Sequence, residues 1–155
     1  MKHTKVAFIA SSGGHLEQIL KLKPLMEKYD SLLITEKTPY AVSSPSKRRY
    51  ELAQINRHET LWIFKLLVNA WASLRIFLKE KPDVVISTGA LATVPFCLIA
   101  KLLFRRKLIF IESFAKVSSP TLTGKLLYRF ADRFYVQWEP MLRVYPKALY
   151  LGGIY

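Results

Sequence analysis

Short apolar runs alternate along the chain with segments whose apolar residues recur every three or four positions. The runs Lys5–Ala10 (KVAFIA), Ser31–Thr35 (SLLIT), Asp83–Ser87 (DVVIS), Lys107–Glu112 (KLIFIE), Arg133–Gln137 (RFYVQ) and Ala148–Leu151 (ALYL) read as strands. Several are apolar on both faces, the pattern of a parallel sheet covered by helices on each side. Leu16–Lys28 carries Leu16, Ile19, Leu20, Leu22, Leu25 and Met26 on one side of a helix. Leu61–Lys79, Leu91–Phe104 and Pro120–Ala131 read as further helices, with Pro120 suited to a first helical position. A short helix is expected near Pro140–Val144. Thr38–Glu59 is polar and reads as a loop with at most a short strand near Leu52–Ile55. This β/α alternation predicts a Rossmann-like α/β fold, a parallel sheet with helices on both faces, in one domain over residues 1–155.

The segment Leu61–Leu78 departs from the usual amphipathic pattern. It is apolar around most of its circumference, and Lys65, Asn69 and Ser73, four apart, form only a narrow polar stripe. A spanning helix needs ~20 mostly apolar residues, and Lys65 and Arg75 interrupt this one, so it does not read as transmembrane. It is expected either to be covered on two sides or to lie on a membrane or a partner. Trp62, Phe64, Leu67 and Trp71 suit a membrane interface. Arg75, Lys79 and Lys81, with Lys47-Arg48-Arg49 upstream, would meet anionic headgroups. The basic N-terminus and first apolar run break at Gly13-Gly14, so a first buried strand is expected there rather than a signal peptide, with a cytoplasmic location as the default.

Composition narrows the function classes. Of 155 residues, 51% are hydrophobic, which excludes a disordered polyelectrolyte. The single cysteine, Cys97, excludes a disulfide scaffold and a Cys-based zinc site. With 24 Lys+Arg against 11 Asp+Glu, the formal charge is +13. That excess points to nucleic acid, an acidic membrane surface or a phosphorylated ligand. No nucleic-acid-binding motif accompanies it.

Ligands of open parallel sheets bind outside the C-terminal strand ends. Three such ends carry small polar residues. In Ser11-Ser12-Gly13-Gly14-His15, two glycines let backbone N–H groups approach an anion at a helix start. The pattern is neither G-x-G-x-x-G nor a Walker loop, and a plain tight turn is the alternative. His15, as a neutral imidazole, would accept a proton from a sugar hydroxyl or donate to a phosphate oxygen; otherwise it caps or packs. His3 and His58 have no constellation around them. Ser87-Thr88-Gly89-Ala90 offers hydroxyls and a glycine to a phosphate. Glu112, ending a buried strand, is either a functional carboxylate or is satisfied by backbone N–H groups. Glu36 follows the second strand, where a ribose-binding carboxylate of an independent nucleotide-binding enzyme would sit.

Taken together, Ser12-Gly13-Gly14-His15, Pro82-Asp83-Val84-Val85 leading into Thr88-Gly89-Ala90, Ile111-Glu112-Ser113 and the stretch ESF…SSP…GKLLYRFADRFYVQW resemble a known set. They are similar to the N-terminal half of GT-B glycosyltransferases acting on lipid diphosphates, above all the one-domain capsule and exopolysaccharide proteins of the PssD or CpsF type. These are relatives of the eukaryotic Alg-fourteen subunit. A more distant likeness is to MurG, from which the second loop departs by having Ala90 in place of a glycine.

The resemblance implies a membrane-associated, acceptor-binding subunit. It would transfer a hexose to an undecaprenyl-diphosphate-linked sugar only with a separate nucleotide-sugar-binding chain of the PssE or Alg-thirteen type. It further implies that Ser12, Gly13, Gly14, His15, Thr88 and Gly89 hold the acceptor diphosphate, with His15 and Glu112 as candidate catalytic groups. It places the chain peripherally on the cytoplasmic face of the cell membrane. No metal is implied, since there is no Asp-x-Asp motif, and no cofactor. The ending at Leu151-Gly-Gly-Ile-Tyr155 lies near where the interdomain linker of a one-chain GT-B enzyme would begin.

Overall fold

The computed structural model describes residues 4–155, so His3 lies outside the described residues. Among the described residues, seven strands form one sheet: β1 (Lys5–Ala10), β2 (Asp30–Glu36), β3 (Arg48–Leu52), β4 (Val84–Gly89), β5 (Lys107–Ile111), β6 (Arg133–Val136) and β7 (Leu149–Tyr150). Their order is β3-β2-β1-β4-β5-β6-β7, and each pairing is parallel. The connections contain α1 (Gly14–Leu20), α2 (Lys23–Lys28), α3 (Trp62–Glu80), α4 (Val94–Leu98) and α5 (Leu122–Leu127). From β1 the chain winds outward first through β2 and β3, then through β4 to β7. The crevice at the C-terminal ends of β1 and β4 is therefore the topological switch point, where open α/β sheets bind ligands.

The two-residue period of the strands divides the core. Ala7, Ile9, Leu32, Ile34, Val85, Leu108 and Phe110 pack beneath α3, α4 and α5, against Phe77, Phe96 and Leu127. Val6, Phe8, Ala10, Leu33 and Ile86 face the other way, against Leu16, Ile19 and Met26 of α1 and α2. Both sides of β1 and β2 are apolar for this reason, and each buried Phe or Leu contributes about 1.5–3 kcal/mol.

The structure corrects several element boundaries. The helix expected over Leu16–Lys28 is two helices, because Pro24 sits in the first turn of α2. A proline there has no N–H for an uninterrupted helix and its ring would meet the carbonyl of Leu20. Pro95 acts similarly: Leu91–Phe104 is a 3₁₀ turn (Leu91–Thr93), α4, and a π-helical turn (Ile99–Leu103). Thr121, not Pro120, starts α5, its hydroxyl accepting from the Gly124 N–H at 2.8 Å. β3 lies at 48–52 rather than 52–55, which moves the basic run into a strand. Arg48 there bonds Glu80 and Asp30, and Arg49 bonds Glu51. Those two arginines are engaged within the chain, which corrects the expectation that they face headgroups.

Candidate active site at the β1–β4 crevice

Beyond β1 come Ser11-Ser12, and Gly13 then turns the chain at φ +71° into α1. That positive φ, with ψ −141°, is open to glycine and strained for other residues. The turn is pinned from below by Glu36. This buried carboxylate accepts from the Ser12 N–H (3.0 Å), the Ser12 hydroxyl (3.1 Å) and the Ile55 N–H (3.0 Å). Glu36 is thus a loop anchor turned toward its own chain, which removes the carboxylate expected of an independent ribose site.

The opposite wall is the end of β4. The β1–β4 register slips here: Ile9 pairs with Ser87 and Ala10 with Gly89, leaving Thr88 out of the ladder as a bulge. His15 Nδ1 lies 2.6 Å from the Thr88 carbonyl, and the Thr88 hydroxyl donates to the His15 carbonyl at 2.7 Å. Since a carbonyl only accepts, Nδ1 carries the proton of that bond. The imidazole lies against Gly89, where an added Cβ would stand 3.3 Å from its Cε1. The Ser11 N–H donates to the Gly89 carbonyl at 2.7 Å, and the Ala90 N–H to the Ser11 hydroxyl at 2.9 Å. The two loops are one hydrogen-bonded unit.

The loop hydroxyls therefore do not point outward as expected. Those of Ser12 and Thr88 donate to Glu36 and to His15, and Thr88 is fully buried. What remains open is backbone. Among the described residues, the N–H groups of Gly13, Gly14 and His15 have no acceptor within the chain, and both glycines are exposed with free space over their Cα atoms. Unpaired amides at a helix start form an anion cradle. His15 is half-buried beside it.

Glu112 lies just beyond β5, at 1% exposure. Its carboxylate accepts from the Ser113 N–H (2.9 Å), the Thr121 N–H (3.2 Å) and hydroxyl (2.8 Å), and the Tyr145 hydroxyl (2.7 Å). Four donors fill its acceptor capacity. Burial, and then the hydrogen bond and charge of Glu112, push the Tyr145 phenol well above its ordinary value. An added Cβ on Gly124 would stand 2.0 Å from Glu112 Oε2, so only glycine fits against this node. Its geometry fastens the 113–121 loop rather than offering a carboxylate to the crevice. Two residues that sequence reasoning missed extend this scaffold. Buried Gln137 donates to Gln18 Oε1 and to the Glu112 carbonyl, both at 2.8 Å, tying α1 to β5 and β6. A glutamine just after the β6 run (Gln137) and one among the apolar positions of α1 (Gln18) were the available signal.

α3 presents an inverted pattern. The polar stripe points inward: Asn69 and Ser73 are fully buried, and Asn69 exchanges two 2.8 Å hydrogen bonds with the backbone of Ala53. Lys65 pairs with Glu59. Outward stand Phe64 (63% exposed), Leu67 (64%) and Trp71 (64%), with Leu61, Ile63, Val68 and Leu78 also exposed. Arg75 is exposed among them, and Trp62 is half-buried. Asn69 is level with Ala53, one residue beyond β3, while Glu80 reaches back to Lys5 and Arg48 at the strand starts. The first two turns of α3, about 10 Å at 1.5 Å per residue, therefore project past the C-terminal edge of the sheet, at the crevice end.

Among the described residues, no helix is long and apolar enough to cross a membrane. No group of three or more His, Cys, Asp and Glu residues there could hold a metal ion. Desolvation pushes the buried Cys97 thiol up to about 12, leaving it protonated.

Known proteins resemble this chain in sequence and in fold. The family described as oligosaccharide biosynthesis protein Alg14 like matches residues 48–154. The UDP-N-acetylglucosamine transferase subunit ALG14 of Mus musculus is 29% identical, over 97% of this chain and 82% of that protein. The corresponding subunit of Schizosaccharomyces pombe gives the same figures. A Staphylococcus aureus UDP-N-acetylglucosamine–N-acetylmuramyl-(pentapeptide) pyrophosphoryl-undecaprenol N-acetylglucosamine transferase is 30% identical over 93% of this chain but 43% of its own length. Among solved structures, Acinetobacter baumannii MurG superposes with a TM-score of 0.66 at 18% identity, over 86% of this chain and 41% of that one. The UDP-N-acetylglucosamine 2-epimerase of Rickettsia bellii gives 0.74 at 13% identity, over 98% and 45%. The chain spans less than half the length of these two solved proteins, and they fix the fold alone as that of GT-B enzymes and epimerases. The family match over more than half of the chain, with a fold to suit, settles the family: this chain belongs to the Alg14-like family of oligosaccharide biosynthesis proteins.

Proposed function

We propose that the chain is the acceptor-binding, membrane-docking subunit of a two-chain glycosyltransferase. The observation that carries this reading is the row of unpaired N–H groups at Gly13, Gly14 and His15, set at the same end of the sheet as the projecting apolar turns of α3. A lipid-linked diphosphate has the matching chemistry: an anion for the amides and a chain that stays in the bilayer. The amides hold the diphosphate, and Gly89 shapes the wall beside it. Phe64, Leu67 and Trp71 enter the interface, with Trp62 at its margin and Arg75 at the headgroups. The surplus of basic residues favours an anionic surface.

The donor is a nucleotide sugar, as the names of the Alg14 relatives state for those proteins. It sits on a partner chain, of the Alg-thirteen or PssE type, whose face closes the crevice. An acceptor hydroxyl oxygen bonds to the anomeric carbon. The bond from that carbon to the nucleoside diphosphate breaks, and the diphosphate leaves with the electron pair. The hydroxyl proton passes to Nε2 of His15. The acceptor we infer is an undecaprenyl-diphosphate sugar of capsule or exopolysaccharide assembly, as in PssD- and CpsF-type proteins, met at the cytoplasmic face.

Vesicle flotation tests the reading. Anionic vesicles doped with lipid-diphosphate sugar should bind the chain at least tenfold more tightly than undoped ones, and Gly14→Ala should erase that gain. Equal binding to both vesicle types contradicts it.

A further inference from the structure

The Thr88 bulge does more than shape a wall. Residues 87 and 89 of β4 remain in the ladder with β1, while Thr88 between them is released from it. The Thr88 carbonyl and side-chain hydroxyl both go to one residue. Its carbonyl takes the Nδ1 proton of His15 at 2.6 Å, and its hydroxyl holds the His15 carbonyl at 2.7 Å. Thr88 is at 0% exposure, so its end of both bonds is shielded from water, while His15 is half-buried beside it. Gly89, at φ +93°, leaves room for the imidazole beside the strand end, where an added Cβ would stand 3.3 Å from its Cε1. Backbone and ring of His15 are thus gripped by one residue from the neighbouring strand. Such a grip decides which ring nitrogen keeps its proton.

We propose that Thr88 is a positioning residue that locks His15 in the Nδ1–H tautomer and thereby offers the Nε2 lone pair to the nucleophilic hydroxyl. This rests on the reading of His15 as the proton acceptor of the transfer. When Nε2 takes the hydroxyl proton, the ring becomes an imidazolium. Its Nδ1–H stays on the Thr88 carbonyl, which stabilises that charge through a charge-assisted bond. No proton needs to leave Nδ1, so the ring neither flips nor changes partner during the step.

The decisive experiment is a long-range ¹H–¹⁵N spectrum of the full chain labelled with ¹⁵N-histidine, at a pH where His15 is neutral. The Nδ1–H pattern is expected for His15, and a predominant Nε2–H pattern overturns the proposal. Thr88→Val, which removes the hydroxyl at nearly constant volume, should lower kcat of the reconstituted pair about tenfold. KM for the acceptor should stay within twofold. Thr88→Ser should restore most of the loss. Equal kcat in wild type and Thr88→Val overturns the hydroxyl half of the grip. Should His15 show the Nδ1–H pattern while His15→Gln keeps full activity, the positioning geometry stands and the proton-acceptor reading fails, so the two failures are distinguishable.

Discussion

At the β1–α1 turn the side-chain hydroxyls are engaged inward and the backbone donors stand open; on α3 Asn69 and Ser73 are buried, while Phe64, Leu67 and Trp71 stand open. The turn is over-determined. Glu36, Thr88 and Ser11 fix it through hydrogen bonds of 2.6–3.1 Å, so its free amides are held in place before any ligand arrives. α3 is fastened along its inner face, through the core residues Ile76 and Phe77 and the hydrogen bonds and ion pairs of Asn69 and Glu80. Its outer stripe makes no use of the protein's own core. On the proposed function, the first region is a preorganised binding site and the second a surface completed by the membrane. Changes in the two should therefore separate: one set moves chemistry, the other moves location, and neither should unfold the protein.

The largest separation is expected from Phe64→Ser, Leu67→Ser and Trp71→Ser combined. Losing three interfacial side chains should weaken binding to anionic vesicles about a thousandfold, taking on the order of 1.5 kcal/mol for each. Thermal stability should stay nearly constant, since exposed substitutions usually stay within about 0.5 kcal/mol. A matching fall in stability would place these residues in the fold instead. Next, His15→Gln should cut sugar transfer by the reconstituted pair about a hundredfold or more while vesicle binding is unchanged. Gly124→Ala should act on neither region directly. It drives a methyl into the Glu112–Tyr145 node and should cost about 3 kcal/mol in denaturant unfolding. A cost below about 1 kcal/mol would show that the node yields.

Gly14→Ala should weaken acceptor binding about tenfold with the fold intact, because nothing lies within 4 Å of the added Cβ. The smallest effect concerns pH. Burial opposes ionisation of Glu80, but the Tyr50 hydroxyl and the Lys5 and Arg48 cations outweigh it and hold its carboxyl below the ordinary value. A depressed carboxyl stabilises the fold above its unfolded pKa, and that contribution fades as pH falls below roughly 4. Glu80→Gln should flatten this acid-side loss in urea titrations. Its profile should run parallel to the wild type at neutral pH and above.

Much of this contrast was legible in the sequence. Strands read from apolar runs fall within a residue or two of those observed, because strands covered on both faces must be apolar throughout. The open glycine turn was legible through Gly13-Gly14, and the unusual helix through its narrow polar stripe. The direction of that stripe was not. Lys65, Asn69 and Ser73 look like a solvated edge until Ala53 is seen to need a partner for both its backbone groups. Pro24 and Pro95 were visible as helix breaks, yet the longer apolar periodicity masked them. The roles of Ser12, Thr88, Glu36 and Glu112 depend on pairings 9–73 residues apart in sequence, which no local spacing encodes. In each case a polar residue at or just beyond a strand end is satisfied by a loop, helix start or strand end that the fold brings beside it, so its role follows from the tertiary arrangement.

The central claim is that this chain holds the acceptor while another supplies the donor. Transfer of a labelled sugar from nucleotide sugar to lipid-diphosphate acceptor in vesicles tests it most directly, with this chain alone, the partner alone and the two together. Product only in the mixture, lost with His15→Gln, is the predicted result. Turnover by this chain alone at the rate of the pair would contradict it.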